Sequence, residues 1–113
     1  MKLKEGVDIS NLHPKMELVL KVLDALFQLW FNQEMVVTAG RDGKHMEGSL
    51  HYEGRAVDIR TKTLTNRDKM RVLAGVLWVL PVEFEYVLES VNKPQEHLHI
   101  EYDPVFEDFI KSR

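Results

Sequence analysis

The sequence predicts a small α+β domain in which two main helices pack on a small antiparallel or mixed sheet. Two segments repeat apolar residues at helical spacing, and four shorter segments are β-branched or alternate apolar and polar side chains. The predicted order is helix, strand, loop, strand, helix, strand, strand, which is typical of an α+β fold. No repeat, low-complexity tract or flexible linker divides the chain, so residues 1–113 are predicted to form one domain.

The first helix is predicted from Pro14 to about residue 31. Its apolar residues recur every three or four positions, with charged residues mostly on the other side. Pro14 suits a first helical position, whereas Ser10 and Asn11 are better capping residues. The sequence therefore leaves open a turn that starts slightly earlier.

The second helix is predicted between a cap at Thr65 and a stop at Pro81. Thr65 and Asp68 have the spacing of a capping box, and apolar residues continue at helical spacing up to the proline. Trp30 and Trp78 fit the helical spacing of the two helices and are predicted to be core residues.

The strands are predicted from short runs bounded by glycine, proline or asparagine. Val7 and Ile9 alternate near the start of the chain and indicate a short strand or an extended arm. Residues 41–48 are predicted to be a loop in which His45 is solvated, and residues 105–110 are a candidate for a last helical turn. The four main strand candidates are residues 34–40, 55–61, 83–88 and 97–102.

Composition excludes several classes of protein. The net charge of -3 argues against a nucleic-acid partner, because such binding depends on neutralising phosphates. The absence of cysteine excludes disulfides and thiolate metal sites, so a metal must be held by imidazole and carboxylate groups. The longest apolar region is interrupted by Asp24 and Gln28 and is too short and amphipathic to span a membrane. The first residues lack the pattern of a signal peptide, so synthesis in the cytoplasm is expected.

Two separated stretches carry the residues of a possible metal site. The first runs from Ser49 to Asp58 and contains His51, and the second is Glu96-His97-Leu98-His99. A catalytic zinc ion commonly takes three ligands of the His, Asp or Glu type and a water, whose acidity it raises. His51, Asp58 and His99 would supply such a set for one Zn²⁺ ion.

Two further residues fit the chemistry of amide hydrolysis at such an ion. Glu96 is predicted to accept the proton of the water and pass it to the leaving amine. Arg41, at the junction of strand and loop, is predicted to stabilise negative charge on the attacked carbonyl. If Glu96 belonged to a regular strand, it would face away from His97 and His99, and His97 could then be a ligand. We expect instead that Glu96 lies in an irregular turn just before the strand.

These motifs resemble the zinc peptidases of the D-alanyl-D-alanine carboxypeptidase and dipeptidase type. The resemblance covers residues 34–103 and combines Thr38-Ala39-Gly40-Arg41, Ser49-x-His51-x-x-Gly54-x-Ala56-x-Asp58 and Glu96-x-x-His99. That group includes phage endolysin peptidases that cut the L-alanyl-D-glutamate bond, and it shares its fold with the amino-terminal signalling domain of hedgehog proteins.

The resemblance implies a role for each residue of the motifs. His51, Asp58 and His99 would be zinc ligands, Glu96 the general base and acid, Arg41 the oxyanion stabiliser, and Ser49 a support for the site or substrate. Family members often have an aromatic residue where this chain has His97, which leaves open whether Glu96 or His97 moves the proton. His97 could also hydrogen-bond the substrate, and Glu101 could hydrogen-bond a ligand histidine or be a polar residue at a strand end.

The function that this resemblance implies is a zinc-dependent peptidase acting on the stem peptide of bacterial peptidoglycan. Such an enzyme would be phage-encoded and released at lysis or carried in the virion, or it would act on wall fragments in the cytoplasm. Two alternatives stay open at this point. One is a non-catalytic binding or structural protein of the same fold that keeps the zinc site, and the other is a metal hydrolase of another small amide.

Overall fold

In the computed structural model, which describes residues 1–43 and 48–103, two helices and a five-stranded mixed sheet share one hydrophobic core. This architecture confirms the predicted α+β class with two helices. His45 and residues 105–110, for which predictions were made, lie outside the described residues. The elements are β1 (Lys2–Leu3), α1 (Pro14–Leu26), β2 (Val36–Ala39), β3 (Ala56–Arg60), α2 (Asn66–Val79), β4 (Phe84–Glu89) and β5 (His97–Tyr102).

Helix α1 begins at Pro14, which settles the choice between the two possible starts. The preceding His13 caps the helix, because its Nδ1 accepts a hydrogen bond from the Lys15 backbone amide at 3.1 Å. The helix continues as a π-helical turn over Phe27–Phe31 and ends where Asn32 adopts a left-handed conformation (φ 52°). The predicted extent to about residue 31 is therefore confirmed.

Helix α2 begins at the predicted cap, where Thr65 Oγ1 accepts a hydrogen bond from the Asp68 backbone amide at 3.1 Å. The two tryptophans are not core residues, however, since Trp30 is 44% exposed and Trp78 is 88% exposed. The buried stripe of α2 passes through Val72 and Val76, and Trp78 lies on another side of the helix. Helical spacing alone did not show which stripe faces the sheet.

The strand order in the sheet is β1-β2-β3-β5-β4. Strand β1 runs parallel to β2, and the other neighbouring pairs are antiparallel. Val7 and Ile9 do not form a strand but are partly buried against the core, and the first strand lies earlier, at Lys2–Leu3. No helix among the described residues combines the length and the apolar character that crossing a membrane requires.

The two faces of the sheet differ in chemistry because side chains alternate along each strand. One face, with residues such as Ile59 and Ile100, is completely buried in the core that it shares with both helices. The other face carries Asp58, Arg60, His97, His99 and Glu101, and we refer to it as the open face. Polar chemistry is therefore concentrated on one side of a rigid sheet.

Candidate metal site

The structure brings together His51, Asp58 and His99, and their potential ligand atoms all lie within 4.8 Å of one another. Asp58 on β3 is directly opposite His99 on β5 in the antiparallel register. His51 comes from the turn that precedes β3. We refer to these three residues as the His-Asp cluster.

The turn from Ser49 to Gly54 positions His51. Ser49 Oγ accepts a hydrogen bond from the His51 backbone amide at 3.2 Å, and the Gly54 amide donates to the His51 carbonyl at 3.1 Å. Gly54 has φ +69°, and a Cβ at this position would lie 2.7 Å from the carbonyl oxygen of Asn11. Only glycine fits this backbone, so the glycine of the motif is explained by a close approach beside the site.

A backbone carbonyl fixes the orientation of the His51 ring. Nδ1 of His51 donates a hydrogen bond to the Gly40 carbonyl oxygen, 2.9 Å away, at the end of β2. The other ring nitrogen, Nε2, is thereby turned towards Asp58 and lies 3.3 Å from Oδ1. Metal-ligating histidines are commonly held in this way by a partner on the second nitrogen.

His99 lies between two carboxylates. Its Nδ1 is 2.8 Å from Asp58 Oδ1 and its Nε2 is 2.8 Å from Glu101 Oε1. The hydrogen bond to Asp58 raises the pKa of His99, burial opposes this, and the bond to Glu101 adds to it, so the pKa reaches about 9. Without a metal, His99 is thus protonated at neutral pH and donates both protons.

The pKa of Asp58 is shifted in the opposite direction to that of His99. Burial raises the pKa of the Asp58 carboxyl, but hydrogen bonds from His51 and His99 outweigh this effect and hold the pKa well below its ordinary value. Asp58 is therefore ionised throughout the physiological range. A divalent cation at the cluster would take the position of the His99 Nδ1 proton, with Glu101 still holding Nε2.

His97 lies beside the cluster but is not part of it. Its Nε2 is 3.7 Å from Asp58 Oδ2 and 3.8 Å from Glu89 Oε2, while Nδ1 is 2.9 Å from the Gln95 carbonyl oxygen. His97 and His99 share the open face, as strand alternation predicts.

Glu96 lies in the turn before β5, as expected, but its carboxylate is engaged elsewhere. Oε1 accepts a hydrogen bond from Thr61 Oγ1 at 2.8 Å. Oε2 accepts from Lys69 Nζ at 2.9 Å and from the Asn92 amide at 2.8 Å. Burial raises the pKa of Glu96, yet these three donors together leave it below its ordinary value. Glu96 is 2% exposed, is ionised and lies outside the His-Asp cluster.

Arg41 is likewise outside the cluster. Its backbone amide donates a hydrogen bond to the Asp8 carbonyl oxygen at 2.7 Å. The pKa of the Asp8 carboxyl is lowered mainly by hydrogen bonds from Ser10, and the positive charge of Arg41 lowers it further to a smaller extent. The Nε atom of Arg41 is buried without a hydrogen-bond partner in the described part of the chain.

The fold and this geometry define a class of protein: a small α+β domain with two histidines and one aspartate clustered on the open face of its sheet. Residues 11–100 match the family described as the hedgehog amino-terminal signalling domain. The chain belongs to this family.

Vertebrate hedgehog proteins are among its relatives. The chain is 50% identical to Indian hedgehog B protein of Danio rerio over 52 residues, which is 44% of this chain and 12% of the relative. It is 43% identical over 74 residues to Tiggy-winkle hedgehog protein of Danio rerio, covering 62% of this chain and 16% of the relative. It is 42% identical to Sonic hedgehog protein of Xenopus laevis over 74 residues, which is 62% of this chain and 15% of the relative. The chain thus spans less than a fifth of these relatives. No solved structure gives a significant match.

These matches overturn the peptidase assignment made from the motifs. The family is that of a hedgehog signalling domain, so the predictions of a bacterial zinc peptidase, of a peptidoglycan stem peptide as partner and of phage or cytoplasmic origin are wrong. The catalytic roles expected of Glu96 and Arg41 had been inferred together with that activity, and neither residue belongs to the His-Asp cluster. The motifs misled because a shared fold preserves ligand spacing while the chemistry around it differs.

Three contributions to the site could not be assigned from sequence. The Gly40 carbonyl that orients His51 is a backbone group, so no side-chain pattern reveals it. Glu101 was left open between two roles, and the structure shows it bonded to His99. Lys69, which neutralises Glu96, lies 27 residues earlier in the chain, and nothing local marks it as a buried partner.

Proposed function

We propose that this chain is a non-catalytic, zinc-stabilised signalling domain that recognises a protein partner through its open face. The observation that carries this proposal is the contrast between the two polar networks. Both histidines of the His-Asp cluster are oriented for a metal by bonds to Gly40 and Glu101, whereas Glu96 is fully engaged with Thr61, Lys69 and Asn92.

The donor set of the cluster suits zinc. Two imidazole nitrogens and one carboxylate oxygen are typical zinc donors, and the chain has no thiolate to compete. His51 Nε2, Asp58 Oδ1 and His99 Nδ1 would hold the ion. Bound there, zinc would supply a cross-link between the turn at residues 49–54, β3 and β5, and this cross-link would rigidify the open face.

Amide hydrolysis at a bound metal would need a general base within hydrogen-bond reach of the attacking water. Glu96 is the carboxylate expected from the motif, but its oxygens already accept three hydrogen bonds in a buried network. To serve as a base it would have to leave Lys69 buried and unpaired, which is costly. This favours a stabilising role for the metal.

The open face is the surface available to a partner. It is not covered by the helices, and it presents partly exposed side chains of β4 and β5 around the cluster. The relatives are named as hedgehog proteins and the family as a signalling domain, which supports a signalling interaction for this chain. A rigid sheet surface costs less ordering on binding than a loop surface does.

The test is a competition assay with a hedgehog-responsive reporter in vertebrate cells. The zinc-loaded domain would be added alone and together with the amino-terminal domain of Sonic hedgehog, and peptide cleavage would be followed in parallel. We expect the domain to activate or inhibit the reporter, a loss of this effect in Asp58→Ala, and no cleavage. Glu53→Gln, an exposed change outside the cluster, is the control. The proposal is contradicted if the domain has no effect on the reporter at saturation. It is also contradicted if the domain hydrolyses peptides in a zinc-dependent reaction.

A further inference from the structure

The helices cover the core side of the sheet, and α1 also carries apolar residues on the side that the core does not bury. Leu18, Val22, Ala25 and Leu29 recur at intervals of four, three and four residues, so they form a stripe along α1 and its π-helical turn. Leu18 is 62% exposed and Leu29 is 83% exposed. We refer to the side of the helix pair that carries this stripe as the outer helix face.

Helix α2 runs antiparallel to α1 and extends this face. A Cβ at Gly75 would lie 2.8 Å from Leu26 Cδ1 and 3.1 Å from the Trp30 ring, so the second half of α2 passes close to the end of α1. Val79, at the end of α2, shares a cleft with Leu18, near the start of α1. The two helices therefore contribute to one continuous surface.

Trp78 projects from the outer helix face. It follows Gly75 by three residues and lies on the same side of α2, and its side chain is exposed. The next residue, Val79, lines an apolar cleft of about 210 Å³ together with Leu18 and Val22. A projecting indole beside a cleft that can take an aromatic ring makes the surface complementary to itself. Two copies related by a two-fold axis could each place Trp78 in the cleft of the other.

Two cations beside the outer helix face are already engaged. Lys15, at the rim of the cleft, lies 3.2 Å from Glu83 Oε1. Arg71 lies 5.5 Å from the centroid of the Trp30 ring and 3.5 Å from Asp68 Oδ1. The stripe on α1 contains no charged residue. Contact between two such faces therefore buries apolar groups without placing these cations against each other unpaired.

The size of the outer helix face is sufficient for a reversible dimer. The two helices have 13 and 14 residues, which corresponds to about 20 Å each. Packed helices lie about 10 Å apart, so the face measures roughly 20 Å by 20 Å. Two such faces would bury on the order of 1,200 Å² in total, which is at the lower limit for a specific protein interface.

We propose that this chain forms a two-fold symmetric dimer through its outer helix face, with four helices packed at the contact. The open face lies on the other side of the sheet, so the two open faces of the dimer point away from each other. The dimer goes beyond the proposed function and requires neither zinc nor a signalling partner. Where the proposed function holds, the dimer presents two copies of the His-Asp cluster and can bind a partner at both.

Sedimentation of the zinc-loaded and zinc-free chain over a range of concentrations tests this proposal. We expect a monomer-dimer equilibrium in both samples. Leu18→Glu and Trp78→Glu should each weaken dimerisation about a hundredfold or more, because each places a charge in the apolar contact. Both positions are exposed in the single chain, so circular dichroism should show an unchanged fold. Val87→Glu, the same kind of change on the open face, should dimerise as the unchanged chain does.

The tryptophans and the absence of cysteine provide two further measurements. Trp30 and Trp78 are the two tryptophans of the chain, and both lie beside the proposed contact. Their fluorescence should therefore shift to shorter wavelength as the concentration rises. Ala25→Cys introduces a single thiol in the stripe, and a short bis-maleimide should join two such chains. Val87→Cys should give no cross-linked product at the same concentration.

A chain that stays monomeric at every concentration would overturn the proposal. A dimer that Val87→Glu weakens, and that Leu18→Glu and Trp78→Glu leave intact, would also overturn it by placing the contact on the open face. Binding of a monomer to vesicles of phosphatidylcholine and phosphatidylserine, lost in Trp78→Glu, would assign the face to a membrane instead. A monomer that is active on the reporter would refute the dimer and leave the signalling proposal standing.

Discussion

Asp58 and His99 lie directly opposite each other on neighbouring strands, and Asp58 Oδ1 is 2.8 Å from His99 Nδ1, although 41 residues separate them in the chain. The strand register alone brings them together, so the geometry of the pair is set by backbone hydrogen bonds. His51 is then added from a turn whose conformation requires glycine at position 54. A cluster built this way is organised before any metal binds.

Removal of a cluster residue should abolish zinc binding. His51→Ala, Asp58→Ala and His99→Ala each delete one of three donors, and two donors hold zinc poorly. Zinc at about 100 times its Kd should stabilise the unchanged chain by about 2.7 kcal/mol, and the variants should show no such gain. Calorimetric titration and thermal unfolding with and without zinc measure both effects. Glu89→Gln is the matched control, and a variant that keeps full zinc affinity would remove that residue from the ligand set.

The stability of the metal-free chain should fall as the pH rises above neutrality. The pKa of folded His99 is raised from the ordinary value of 6.5 to about 9, so its ion pair with Asp58 stabilises fully below about pH 6.5 and is lost as the pH rises through 9. Urea unfolding at a series of pH values measures this trend. His99→Gln should flatten it over the same interval, and a profile with the same slope in both proteins would refute the assignment.

Zinc affinity should have the opposite pH dependence. Below pH 9 the metal must displace the His99 Nδ1 proton, so affinity should rise about tenfold for each unit of increasing pH towards that value. Titrations in buffers with different ionisation enthalpies count the protons released. Release of no proton near neutral pH would mean that His99 does not bind the metal through Nδ1.

The buried pair of Lys69 and Glu96 should contribute to stability and not to metal binding. Lys69→Met leaves the Glu96 carboxylate buried without its cation, which should cost about 3–5 kcal/mol of unfolding free energy. Lys69→Met/Glu96→Gln should recover a large part of this loss, because no unpaired charge remains. Urea unfolding measures the effect of each variant on stability, and zinc titration measures its effect on metal binding. A loss of zinc in Glu96→Gln would place this carboxylate at the metal after all.

Gly40→Ala should weaken zinc binding from outside the cluster. A Cβ at Gly40 would collide with the Asp8 carbonyl oxygen, and the backbone shift that relieves the collision would move the carbonyl that orients His51. We expect lower stability together with a severalfold loss of zinc affinity. Gly6→Ala is the control, since its φ of +84° is strained but its Cβ would meet no atom within 4 Å. Equal zinc affinity in both variants would contradict the orienting role of Gly40.

Local patterns in the sequence were sufficient for both helices, for four of the five strands and for the approximate position of the cluster. Pro14 and Thr65 mark helix starts by their own chemistry, and alternation in residues 55–61 separates Asp58 from Ile59. The two motifs placed His51, Asp58 and His99 on or beside strands. That these three residues bind a metal stays a prediction. The peptidase activity inferred from the same residues was wrong.

The sequence by itself thus determined both helices, strands β2 to β5 and the set of candidate donors, because these depend on residue type and short spacing. Only the tertiary structure decided what surrounds them. It paired Glu96 with Lys69, left Trp78 exposed, gave His99 two carboxylate partners and placed Leu18 and Val79 at one cleft. Each of these relationships joins distant segments through strand order and helix packing, and long-range contacts of this kind leave no periodic trace in a single sequence.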